Sequence, residues 1–147
     1  MNFNNMTDEI NLLLETGKTG SLLGAKDLEH MTNRMALTTH FRIANDVIKH
    51  LKQGQVLDWG CGYGQISFLL KNRGLDVVSY DVEKSENYGS LPISKCVSII
   101  RGTDPVKLPF GNGSFDAVLS SGVLEHVANE QASLREINRV LKDSGLF

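Results

Sequence analysis

The 147-residue sequence has two cysteines, no long apolar run and almost no net charge, and each shortage excludes a class of protein. Cys61 and Cys96 lie far apart and lack the paired spacing of a zinc site, so free thiols in a reducing cytoplasm are expected. No apolar stretch approaches the ~20 residues of a membrane span. Met1 to Asn11 is polar, without the basic-then-apolar order of a secretory leader. A formal charge of −2 and a pI near 6.1 give no electrostatic pull toward nucleic acid or anionic membrane. That leaves a small substrate, or a local basic patch, as the alternatives. A chain of this length fits one domain, expected to remove about 70% of its unfolded surface from water.

What the sequence does have is glycine, concentrated where it is costly. Gln55 to Leu70 begins with apolar Val56 and Leu57, passes Asp58, and sets Gly60, Gly62 and Gly64 at alternate positions before Ile66, Leu69 and Leu70 take up helical spacing. This predicts a strand, a tight turn and a helix. Glycine loses more chain entropy on folding than any other residue. The cost is offset if the backbone must turn with positive φ and admit a ligand closer than a Cβ permits, beside the N–H groups of a helix start. A plain strand-to-helix turn is the alternative. The dinucleotide fingerprint Gly-x-Gly-x-x-Gly needs glycine where Gln65 stands, which disfavours a nicotinamide oxidoreductase. Gly17-Lys18-Thr19 is no phosphate loop either, because Leu12 occupies the position of its first glycine.

Along the chain, Thr7 is the expected N-cap of a short helix through Leu14, followed by a mobile connection at Gly17, Gly20, Ser21 and Gly24. Met31 to Lys52 contains a better helix, with Phe41, Ala44, Ile48 and Leu51 on one face. His30, Arg34, His40 and Arg42 are either site residues or ordinary members of solvated faces. Gly74 stops the helix after the glycine turn, and Leu75 to Tyr80 is a second strand ending at Asp81. Asp81 stands 23 residues after Asp58, one strand-helix-strand unit. Its carboxylate is placed either to accept bonds from two ribose hydroxyls or to serve as a turn aspartate. Glu83 to Ile93 allows only a short or broken helix, because it contains Gly89 and Pro92. Cys96 to Ile100 reads as a buried strand, Phe115 to Ser120 as a fourth, and Asn129 to Lys142 as a helix with Ala132, Leu134, Ile137 and Leu141 inward.

Val56 to Gln65 resembles the first motif of class I methyltransferases that use S-adenosylmethionine, and two later segments carry the same resemblance. Thr103 to Phe110 is similar to that family's Gly-Asp-x-x-x-Leu-Pro-Phe, and Leu124-Glu125-His126-Val127 to its Leu-Glu-His-Val. The resemblance implies an α/β fold, a Rossmann-like open parallel sheet with an N-terminal helical segment. Residues 1–54 are then the lid and substrate side, and 55–147 the cofactor-binding half. It implies S-adenosylmethionine cradled by Asp58, Gly60, Cys61, Gly62 and Gly64, with Asp81 and Val82 at the ribose and Asp104 at the adenine amino group. Pro105 has no N–H for the adenine ring, so Val106 is the expected substitute. Ser120 and Ser121 should border the methyl-donating end, because ligands bind outside the carboxyl ends of parallel strands. His126 is a candidate base or a holder of its own loop. No metal is expected, because Gly122 stands where metal-holding relatives have glutamate.

The family's sheet has seven strands, whereas this sequence stops as the fifth begins at Leu146-Phe147. The expectation is therefore a fold incomplete in its C-terminal half. An exposed fourth-strand edge would then invite a homo-oligomer. Either the chain transfers methyl groups to a metabolite or sugar intermediate, or it is a binding module without catalytic activity of its own.

Overall fold

Val56, Leu57, Asp58 and Trp59 are all buried, as the central strand of a parallel sheet covered on both faces must be. In the computed structural model, which describes residues 5–25, 28–82, 87–104 and 106–147, this strand is β1 (Gln55–Trp59). It pairs in parallel with β2 (Asp76–Asp81) on one side and β4 (Phe115–Ser120) on the other. β3 (Ile99–Arg101) and β5 (Leu141–Leu146) complete the order β3-β2-β1-β4-β5. The connection out of β1 turns one way and the connection into β4 the other, so the crevice at the end of β1 is the switch point of the sheet.

Strand alternation sends Val56, Val77 and Ala117 to one face, and Leu57, Trp59 and Val118 to the other. The first face is covered by α1 (Met6–Leu22), α2 (Arg34–His50) and α3 (Gln65–Asn72), the second by α4 (Glu130–Val140). Asn5, Asn33 and Asn129 cap three of these helices, each accepting the N–H three residues on at 2.9–3.0 Å. Gly74 ends the fourth, α3, with φ of +87°, while Leu75 N–H reaches back to the Leu70 carbonyl.

Several expectations are corrected. The cap of α1 is Asn5 rather than Thr7, and the helix runs on through Gly17 and Gly20 instead of loosening there. Both glycines are buried: a Cβ on Gly17 would strike the Met31 carbonyl, and one on Gly20 the Leu28 side chain. They let the 3-10 turn Glu29–Met31 lie flat on the helix. The buried Glu9 ties the same helix to α3 through Arg73 at 3.2 Å and Asn72 at 3.1 Å. β3 is shorter and later than expected, because a 3-10 turn, Pro92–Lys95, carries the chain to Cys96. The beginning of the Glu83–Ile93 segment lies outside the described residues; its remainder makes two 3-10 turns.

On α4 the inward residues are Ser133, Ile137 and Val140, and Leu134 is exposed. Leu141 leaves the helix to start β5, five residues before the expected beginning of that strand. Phe115 pairs with Leu141 and Ala117 with Leu146, so the extra residues of Lys142 to Gly145 form an irregular outward excursion in the strand. Asp116 fixes the arrangement by accepting the Gln55 N–H at 2.8 Å and pairing with Lys142 at 2.7 Å. β5 therefore pairs with β4 from Phe115 to Ala117, so within the chain this part of the fourth-strand edge, on which self-association was expected, is covered. Of the described helices, none is long and apolar enough to cross a membrane.

Gly17→Ala tests the packing of α1. Alanine stabilises an open helix by about 1 kcal/mol, whereas overpacking costs about 1–3 kcal/mol. Urea denaturation should show net destabilisation; a gain in stability would mean that the helix is free of Met31.

Candidate functional site

The loop between β1 and α3 leaves the sheet with its first donors already used. Gly60 and Cys61 N–H both reach the Tyr80 carbonyl, at 2.8 and 3.1 Å, and Gly62 N–H donates to Asp81 Oδ2 at 2.7 Å. All three glycines have positive φ, 72°, 56° and 80°. The reasons for lacking a side chain differ. A Cβ on Gly60 would strike Val123 and one on Gly64 would come 2.7 Å from Val97, so these two serve packing. A Cβ on Gly62 would meet nothing within 4 Å. Bare backbone facing open space beside a carboxylate is a surface against which a ligand can lie.

A cavity of about 170 Å³ opens at the end of β1, lined by Asp58, Gly60, Cys61, Gln65, Ile66 and Ser121 from the sheet side and by His30 and His40 from the N-terminal segment. A second, of about 450 Å³, lies beyond β2 and β3, with Tyr80, Arg101, Asp104 and Lys107 in its wall. Asp81 stands at the end of β2, with Arg101 Nη1 at 4.0 Å. Val82 follows it, exposed. Asp104 Oδ1 accepts the N–H groups of both Val106 and Lys107 at 2.8 Å, so the Val106 donor expected to face a ligand is held by Asp104 instead. Pro105 lies outside the described residues. The Leu108-Pro109-Phe110 stretch is pinned to α4: Glu136 accepts the Leu108 N–H at 2.8 Å, and Arg139 donates to the Phe110 and Leu108 carbonyls. Phe110 packs edge-on against Tyr80 and Phe115.

Ser120 Oγ is buried without a hydrogen-bond partner. His126 sits exposed on the 3-10 turn Leu124–His126 and lines neither cavity described above. Among the described residues, no three acidic, histidine or cysteine side chains are grouped so that they could hold a metal ion.

Sequence reasoning missed the polar chain behind the loop. Ser67 Oγ donates to Asp58 Oδ2 at 2.6 Å and Ser79 Oγ to Ser67 Oγ at 2.7 Å, all three buried. Its signal was periodicity: Ser67 shares a helical face with Leu70, and Ser79 a strand face with Val77 and Asp81. Gln65, read only as a missing glycine, is a wall of the first cavity.

Burial pushes the Asp58 carboxyl up to about 6 against the pull of Ser67. Burial also raises the Cys61 thiol, which stays protonated and is no nucleophile. Burial first, and then His30, lower His40 to about 4. The two linkages oppose each other. Between about 4 and its ordinary 6.5, His40 binds a proton in the unfolded but not the folded chain, so its contribution to stability is lost as pH falls. Between its ordinary 3.8 and about 6, Asp58 binds a proton in the folded but not the unfolded chain, so its contribution is lost as pH rises. The melting temperature of His40→Gln, measured relative to the parent, should therefore improve as pH falls from 6.5 toward 4. That of Asp58→Asn should improve as pH rises from 4 toward 6, and pH-independent differences would contradict both environments.

Comparison with known proteins agrees with this geometry. An uncharacterised Methanocaldococcus jannaschii protein is 39% identical over 102 residues, covering 67% of this chain and 38% of that protein. The chloroplastic 2-phytyl-1,4-beta-naphthoquinone methyltransferase of Arabidopsis thaliana is 34% identical over 102 residues, covering 62% of this chain and 39% of that enzyme. The crystal structure of a Pyrococcus horikoshii OT3 protein superposes with a TM-score of 0.64 at 31% identity, over 77% of this chain and 56% of that one. The chain thus spans little more than a third of the length of the curated relatives it matches. Residues 57–147, more than half of the chain, match the methyltransferase domain family, and with the glycine turn at the switch point of a parallel sheet this establishes that the chain belongs to that family, whose cofactor is S-adenosylmethionine.

Proposed function

We propose that this chain binds S-adenosylmethionine across the ends of β1, β2 and β3 and takes part in transferring its methyl group to a small-molecule acceptor. The observation that carries the reading is Gly62: left-handed, bare, open where a side chain would stand, and hydrogen-bonded to Asp81. The residues present suit such a guest. Gly62 gives the cradle its open backbone, Gly60 and Cys61 line the cavity beside it, Gly64 turns the chain behind it, and Asp58 faces the cavity from the end of β1. Asp81, with Val82 beside it, holds the ribose, and Asp104, braced against Val106, receives the adenine amino group. Ser120, whose hydroxyl lacks a partner, borders the methyl-donating end, with His126 beyond it as the motif's own candidate base.

The cofactor supplies an electrophilic methyl on a positively charged sulfur. The protein's task is then to position the acceptor and give its proton a destination. A small-molecule acceptor is supported by the near-neutral charge of the chain and by the naphthoquinone named for the plant relative.

Two substitutions test the cofactor geometry by calorimetry with S-adenosylmethionine. Gly62→Ala should weaken binding at least roughly tenfold, while left-handed alanine lowers stability by only about 1–2 kcal/mol. Normal affinity would mean that nothing lies against that backbone. Asp81→Ala should cost about 1–3 kcal/mol of affinity through lost charge-assisted hydrogen bonds, and an unchanged titration would remove the ribose assignment.

A further inference from the structure

His30 and His40 come from different parts of the N-terminal segment, the 3-10 turn Glu29–Met31 and α2, yet their ring centroids lie 5.1 Å apart with planes tilted by 56°. Both line the cavity at the end of β1, with Asp58 and Cys61 as the other titratable groups in its wall. His40 is 8% exposed, and its Nδ1 is buried without a hydrogen-bond partner. His30 Nε2 stands 3.3 Å from Gln65 Nε2, and Gln65 Oε1 is also buried without a partner. A buried polar atom left unpaired costs about 1–3 kcal/mol. Two of them, His40 Nδ1 and Gln65 Oε1, belong to residues lining this one cavity, and they mark a place where a polar guest supplies the missing bonds.

We propose that His30 and His40 form the acceptor end of the site, binding a neutral hydroxyl or phenol and taking its proton as the oxygen is methylated. The proposal rests on the methyl-transfer reading above. His40, lowered to about 4, is an uncharged imidazole at neutral pH and accepts a hydrogen bond. A hydroxyl keeps its lone pair at that pH and needs only a destination for its proton, whereas an ammonium has no lone pair and would face a second positive charge. The acceptor oxygen bonds to the methyl carbon as the carbon–sulfur bond breaks. The breaking pair stays on sulfur, which becomes a neutral thioether. The proton of the oxygen passes to an imidazole nitrogen, which takes over the positive charge.

The test needs no acceptor. In sinefungin a carbon replaces the sulfur and carries an ammonium where the sulfonium carries its methyl, so it donates hydrogen bonds to whatever accepts there. Calorimetry on the unmodified chain should show sinefungin binding about tenfold tighter than S-adenosylhomocysteine, the worth of one charge-assisted bond. In His30→Leu and His40→Leu the preference should fall to roughly twofold or less, with affinity for S-adenosylhomocysteine retained. A preference kept in both variants, or lost only in His126→Leu, overturns the proposal. Absence of S-adenosylhomocysteine binding by the unmodified chain is a separate result, which removes the methyl-transfer reading itself. Should the leucine variants not fold, imidazole nitrogen resonances of the unmodified chain decide. Those of His30 and His40 should move when sinefungin replaces S-adenosylhomocysteine while those of His50 stay, and immobile signals overturn the assignment.

Discussion

The bond from Gly62 N–H to Asp81 Oδ2, 2.7 Å long, joins the end of one strand to the loop that leaves its neighbour. Bonds from N–H groups to carboxylate oxygens are commonly this short. With the Tyr80 carbonyl holding the two preceding N–H groups, it fixes three successive residues of a loop that glycine alone would leave loose. The crevice at the switch point depends on that fixation. Gly60 and Gly64 are closed off by Val123 and Val97, so the packing leaves Gly62 as the open face of the turn.

Behind the loop lies a buried acid that the fold has to solvate without water. Asp58 sits on a central strand with its carboxyl held by Ser67, itself held by Ser79. The Ser67 hydroxyl and backbone N–H give less than bulk water gives a carboxylate, which is why burial outweighs them and the group is raised to about 6. The chain of hydroxyls links α3, β1 and β2 at the acid, which also lines the first cavity.

The N-terminal helices are part of the same core. Leu12, Leu13, Met31, Leu37 and Ala44 belong to one cluster with Val56, Leu69 and Val77, and the Glu9–Arg73 pair joins α1 to the end of α3. That packing delivers two imidazoles from separate elements to the wall of the cavity that Gly60 and Cys61 also line. The other face has a different task. There Glu136 and Arg139 grip the backbone of the Leu-Pro-Phe stretch and hold the wall of the second cavity without a helix of its own.

What the sequence determined by itself was whatever depends on neighbours along the chain. β1, the glycine turn, the start of α3, β2 up to Asp81 and the whole of β4 follow from alternation, helical period and left-handed positions, all of which act over a few residues. Where contacts between distant residues decide, the local signal misled. Gly17 and Gly20 look like a loop, but Met31 and Leu28 need their bare faces. Leu141 continues a helical stripe, but β4 offers it a strand partner. Only the tertiary structure could show which of three glycines faces open space, or bring His30 and His40 to one cavity. Those facts concern distances between residues remote in sequence, and no local period encodes such distances.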